Sequence, residues 1–181
     1  MPKPRRFKTD PLSRIITLGY IDAESTNEII QLIYEINEED AKKTQAEPIK
    51  LIINSFGGEV YSGLALIDVI DNSQTPIYTV CHGTAMSMGL IVYAAGHHRT
   101  ASKYATFMYH EALNSYPQFD KLSIIKDDLD ECNRIMKQYD EILLLNSTVS
   151  QKQLDDVKKS RRDWYFTAEE ALKYGIVDEI I

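Results

Sequence analysis

The sequence predicts an α/β domain with a mostly parallel sheet, and three observations predict it. From Ile15 to Leu90, short runs of β-branched and aromatic residues alternate with segments of helical periodicity, in the order strand, helix, strand, helix, strand, helix. One of these strands, Ile49-Lys50-Leu51-Ile52-Ile53, is nearly continuously apolar, as a strand covered on both faces must be. The second and third strands run into turns of small residues, and sheets of this class hold ligands beyond the carboxyl ends of their strands. At 181 residues the chain is long enough for one domain with its own core, assigned here to residues 14–181. Lys3, Arg5, Arg6 and Lys8, set between Pro2, Pro4 and Pro11, read as a flexible basic tail over residues 1–13. The net charge of −7 argues against a nucleic-acid groove, and no apolar run reaches the length of a signal peptide or a membrane span. Cys81 and Cys132 have no metal-ligand or disulfide spacing, and they read as reduced residues of a cytoplasmic protein.

The elements follow from local signals. Arg14 to Gly19 reads as the first strand. Asp22 or Ser25 caps the helix after it, and Ser25 with Glu28 fits a capping box. Ile29, Ile33 and Ile36 give that helix an apolar face, and the polar run from Glu38 to Glu47 frays it. The second strand stops at Asn54-Ser55-Phe56-Gly57-Gly58, and a helix follows from Val60 to Ile70. Ile77 to Cys81 is a third strand between Pro76 and Gly83, and the next helix opens near Ser87. Arg99–Ser102 and Thr106–Tyr109 read as further strands. His97 and His98 read as solvated turn residues and His82 as a packing residue. A polar, aromatic loop from Glu111 to Lys121 leads into a long helix, about Leu122 to Leu145, striped by Ile125, Leu129, Cys132, Met136, Tyr139 and Leu143. A helix of that length can stand out from a small domain and meet another subunit. Ser150 with Gln153 and Thr167 with Glu170 cap two further helices around a strand at Trp164–Phe166. Gly175 ends the last helix, and Ile176 to Ile181 closes the chain.

The chemistry gathers at three strand ends. Ser87 lies at the mouth of a helix, where backbone N–H groups have no intrahelical partner. It is either a capping serine or a nucleophile with the Met88 N–H free for an oxyanion. Gly57-Gly58 is either a plain tight turn or a place where backbone donors meet a bound carbonyl. It is not a phosphate loop, because neither nucleotide-binding glycine pattern is present. His110 ends a strand at the same sheet edge, which suits a general base.

Taken together, these stretches resemble the proteolytic subunit of the Clp protease, a family of the ClpP/crotonase fold. The resemblance runs from about Arg14 to Ile181. It rests on Ile53 to Gly58, Ala85-Met86-Ser87-Met88-Gly89, Phe107-Met108-Tyr109-His110, Arg162 to Ala171 and Tyr174 to Asp178, all in the family's order. It implies repeated β-α units with a protruding long helix and a serine endopeptidase activity. It places the family's catalytic serine, histidine and aspartate on Ser87, His110 and Asp163, and its oxyanion donors on the N–H groups of Gly58 and Met88. It further implies heptameric rings, stacked as a tetradecamer, that take in unfolded polypeptides with the help of an AAA+ ATPase. No cofactor, metal, nucleic acid or membrane is implied.

The chain departs from the family's pattern at four places. Phe56 stands where the family has proline, and Met86 where it has alanine. Glu111 to Pro117 lacks the glycine-rich strand that pairs with substrate and joins the rings. The stretch before Arg14 also reads as short for the family's axial loops. These departures mark a divergent member. Other readings of the same residues are a prohead-processing or signal-peptide-peptidase-like serine protease of this fold, a crotonase-type enzyme acting on acyl thioesters, and a non-catalytic ring subunit.

Overall fold

A computed structural model describes residues 14–111 and 122–181. The predicted basic tail, and the loop after Glu111 as far as Lys121, lie outside the described residues. Strand β1 (Ile15–Leu18), helix α1 (Ala23–Asp40), β2 (Ile49–Ser55), α2 (Val60–Asp71), β3 (Ile77–Met86) and α3 (Met88–Ala94) keep the predicted alternation. They are followed by β4 (His98–Ala101), β5 (Thr106–Tyr109), α4 (Leu122–Leu145), α5 (Gln151–Ser160), β6 (Trp164–Thr167), α6 (Ala168–Lys173) and β7 (Glu179–Ile180). The strands form one sheet in the order β1-β2-β3-β4-β7, with β5 paired to β3 and β6 to β5. Every pairing is parallel except β5 with β6, so the fold class is the one the sequence predicts.

Strand β3 is the longest strand and runs five residues past its predicted end at Cys81, to Met86. The apolar run only marks its first half, Tyr78–Cys81, which pairs with β4. Its second half, Thr84–Met86, pairs instead with β5. Gly83, at φ 95°, is where the strand changes neighbours. This exchange brings the end of β3, and Ser87 after it, beside the end of β5.

Helix α1 is capped by Asp22, not Ser25. The Asp22 carboxylate accepts the Ser25 N–H at 2.8 Å, and the Ser25 hydroxyl accepts the Asp22 N–H at 3.1 Å. The helix therefore starts three residues earlier than a Ser25 cap would allow, and Ser25 is the inner member of the box. The boxes at Ser150 with Gln153 and at Thr167 with Glu170 form as predicted. His98 lies within β4 and stacks edge-on against Tyr78, while the His97 ring accepts the Ile77 N–H at 2.9 Å. Neither is a plain solvated turn residue, because both sit where β3 and β4 pair. His82 is exposed rather than packed, with its Nδ1 2.5 Å from the Ser102 hydroxyl.

The polar end of α1 stays helical because Asp40 is buried and bonded. Its carboxylate meets both terminal nitrogens of Arg14 at 2.5 and 2.8 Å, the Thr75 hydroxyl at 2.8 Å and Lys43 at 2.9 Å. The Arg14 hydrogen bonds, reinforced by Lys43 and Thr75 against the opposing effect of burial, hold Asp40 well below the usual carboxylate range. Asp40→Ala is expected to cost about 3 kcal/mol at neutral pH, since it strands the partners of a buried pair. A group whose pKa is depressed on folding stabilises fully above its unfolded value, about 3.9, and less as pH falls below it. Urea melts at pH 7 and pH 3 check this. A penalty as large at pH 3 as at pH 7 would contradict it.

Helix α4 is divided along its length. Ile135, Met136, Tyr139 and Leu143 are buried in the main core, whereas Ile124, Ile125 and Leu129 are exposed. The predicted stripe is thus core in its second half and an uncovered apolar surface in its first. Tyr61 on α2 hydrogen-bonds Glu131 at 2.6 Å and ties α4 to α2, and Arg134, one turn along α4, holds the same carboxylate at 2.6 Å. No helix among the described residues is long and apolar enough to cross a membrane.

Candidate active site

The site is built on the carboxyl ends of β2, β3 and β5. After β3 the backbone turns sharply at Ser87, with φ 53° and ψ −128°. A serine is disfavoured there by about 1–3 kcal/mol, which neighbouring structure must offset. The Ser87 N–H donates to the Met108 carbonyl at 2.9 Å, and its carbonyl accepts the Leu90 N–H at 3.0 Å. Ser87 occupies the N-cap position of α3, yet its hydroxyl makes no capping bond. The hydroxyl instead lies 2.7 Å from Nε2 of His110. Of the two readings the sequence allows for this serine, the geometry fits the one in which the oxygen faces a base.

The Gly57-Gly58 turn packs directly against this bend. A Cβ at Gly57 would sit 2.8 Å from the Ser87 Cβ, and one at Gly58 would sit 2.0 Å from the Ile21 carbonyl oxygen. Both glycines have positive φ, 105° and 150°. Only residues without side chains fit there. The turn is pinned by a parallel bridge in which Ile21 N–H donates to Gly57 and Glu59 N–H donates to Ile21. The Gly58 N–H takes no part in that bridge. The Met88 N–H, in the first turn of α3, has no intrahelical acceptor. The Met88 side chain is fully buried, which fixes the start of α3 in place.

His110 and Asp163 are brought side by side by the one antiparallel strand pairing among the described residues. Thr106, Phe107, Met108 and Tyr109 face Thr167, Phe166, Tyr165 and Trp164 in register. The next step of that register sets His110, after Tyr109, opposite Asp163, before Trp164. Phe107 stacks on Phe166 at 5.6 Å and meets Tyr93 of α3 at 5.2 Å, which ties both strands to the helix behind Ser87. Arg161, at φ 52°, ends α5 in a left-handed turn and directs the chain into β6. Asp163 is exposed and, among the described residues, makes no hydrogen bond to His110. Ser87 and His110 are thus in contact, and Asp163 is alongside.

Ser87, His110, Asp163 and Gly58 line one cavity of about 520 Å³. Its other walls are Tyr20, Phe56, Val60, Met108 and Tyr139, which are apolar or aromatic, and the acidic Glu59; of these, sequence reasoning assigned only Phe56 to the site. Tyr139 was legible only as a core position on the α4 stripe. Burial raises its phenol above the ordinary value, and a hydrogen-bonding contribution from Ser87 opposes that shift. A smaller cavity of about 220 Å³ adjoins His110 and Asp163 and is lined by Glu111, Lys158, Arg161 and Arg162. The arrangement can hold a peptide carbonyl over Ser87, accept a proton at His110 and present N–H groups to the carbonyl oxygen.

The Clp protease family model matches residues 10–181. The ATP-dependent Clp protease proteolytic subunit 1 of Prochlorococcus marinus subsp. pastoris is 32% identical, over 93% of this chain and 83% of its own. The ATP-dependent Clp protease proteolytic subunit 3 of Parasynechococcus marenigrum is 33% identical, over 94% of this chain and 83% of its own.

Proposed function

The chain belongs to the Clp protease family and is a serine endopeptidase of its proteolytic-subunit type, and from that premise we propose that Ser87, His110 and Asp163 form the catalytic triad. The observation that carries this reading is the 2.7 Å contact between the Ser87 hydroxyl and His110 Nε2. His110 takes the Ser87 proton as the oxygen attacks the scissile carbonyl, then delivers it to the leaving amine. The Gly58 and Met88 N–H groups bind the oxyanion. Asp163 holds the imidazole in the tautomer that leaves Nε2 free to accept. Water then attacks the acyl carbonyl as His110 takes its proton, and His110 returns that proton to the Ser87 oxygen as the ester bond breaks and the carboxylic acid leaves.

The substrates are unfolded polypeptides, degraded inside a heptameric ring that stacks as a tetradecamer and is fed by an AAA+ ATPase in the cytoplasm. The relatives' names speak of ATP dependence and of subunits, and this sequence carries no nucleotide-binding glycine loop of its own. The exposed start of α4, with Ile124, Ile125 and Leu129, is an apolar surface of the kind that subunit contacts cover. The free thiols Cys81 and Cys132 suit a reducing compartment.

A fluorophosphonate probe followed by intact mass tests the triad. One adduct per chain is expected, and none in Ser87→Ala or His110→Ala. A folded, assembled wild-type chain that takes no adduct would sink the proposal.

A further inference from the structure

Behind the site lies a buried carboxylate that the proposed chemistry does not use. Asp140, on α4, is 4% exposed. Its Oδ1 accepts the Tyr109 hydroxyl at 2.5 Å. Its Oδ2 accepts Gln151 Nε2 at 2.8 Å and Lys158 Nζ at 2.5 Å. A carboxylate is strongly disfavoured in an interior unless donors fill its lone pairs. Here the donors come from three places: the last residue of β5, the first turn of α5 and the last turn of α5.

Those places are the supports of the site. Tyr109 is 1% exposed and immediately precedes His110. Lys158 lines the smaller cavity together with His110 and Asp163, and α5 ends three residues before Asp163. An apolar side chain of the same size would pack the space between α4 and β5 without needing three partners, but it would not fix a position along the strand. A hydrogen bond from the Tyr109 hydroxyl does. Catalytic geometry tolerates little slack, so the anchor on the preceding residue matters at the imidazole.

We infer that Asp140 is a positioning residue, acting through Tyr109 on His110 and through Lys158 on the segment that carries Asp163. This rests on the triad reading above. Tyr109→Phe is the cleanest probe because it removes one oxygen and leaves Asp140 its two other donors. The variant is expected to lower kcat on a fluorogenic peptide about 10-fold while KM stays within about twofold, as for a group displaced slightly from its productive position. Asp140→Asn is expected to lower kcat by a similar factor, and the double variant to add little to either. A merely structural role moves the melting temperature and leaves kcat of the folded fraction alone. A Tyr109→Phe kcat within twofold of wild type overturns the inference.

A second readout needs no turnover. In a Ser87→Ala background, the rate at which diethylpyrocarbonate modifies His110, read by peptide mass, is expected to rise at least about twofold on adding Tyr109→Phe, as a ring held less firmly spends more time open to reagent. An unchanged rate overturns the inference. If the wild-type chain takes no fluorophosphonate, the triad reading has failed, and Asp140 is then judged on the His110 modification rate alone.

Discussion

Ser87→Ala is expected to lower kcat for peptide hydrolysis by about 10⁶, His110→Ala by nearly as much, and the double variant no further, because nucleophile and base act as a unit. The structure gives the reason for that non-additivity. The Ser87 hydroxyl lies 2.7 Å from His110 Nε2 and makes no bond that caps α3. Without the imidazole the hydroxyl is a poor nucleophile at neutral pH, and without the hydroxyl the imidazole has no proton to take. KM is expected to move little, since the cavity walls of Tyr20, Phe56, Val60, Met108 and Tyr139 stay in place. Stability is expected to change by less than about 0.5 kcal/mol, because the backbone at φ 53° is equally awkward for alanine. Steady-state kinetics on a fluorogenic peptide check the first claim and thermal melts the second. A Ser87→Ala variant keeping more than a hundredth of the activity would place the chemistry elsewhere.

Much of this was legible in the sequence, and the parts that were not share a cause. Periodicity and capping residues locate α1, α2, α5 and α6, since those signals are local. The turn residues around Gly57-Gly58 and Ser87 mark strand ends, and their meeting follows from a parallel sheet. What periodicity does not report is a strand that changes neighbours. The apolar run that marks β3 stops at Cys81, but the strand continues to Met86 because β5 replaces β4 as its partner. His82 and His98 were misplaced for the same reason, as both lie where β3 and β4 pair or part. Tyr139 and Asp140 are adjacent on α4, one facing the cavity and the other the Tyr109 hydroxyl. On the sequence they are a stripe position and its charged neighbour. Nothing local distinguishes a buried aspartate with three donors from a solvated one. The same holds for Asp22, whose claim to the α1 cap over Ser25 depends on where the chain leaves Ile21 in its bridge to Gly58.

Asp163→Asn is expected to lower kcat by about 10⁴ with the fold intact, because an amide at that place favours the wrong imidazole tautomer. The case for so large an effect is the register of β5 and β6. Tyr109 and Trp164 are paired, so His110 and Asp163 are the next facing positions of an antiparallel ladder, where Cα atoms lie about 4.5–5.5 Å apart. That spacing lets a carboxylate reach Nδ1 while Nε2 stays on Ser87. Asp163 is exposed and not bonded to His110 in this chain on its own, and catalytic hydrogen bonds often tighten only with substrate bound. Glu111 is the competing partner, since it follows His110 directly and lines the same small cavity as Asp163. The two carboxylates separate by experiment. If Asp163 orients the ring, Asp163→Asn costs orders of magnitude and Glu111→Gln less than about threefold, a change worth under about 0.7 kcal/mol. The reverse pattern in kcat would move the orienting role to Glu111 and leave Asp163 as a surface residue at the start of β6.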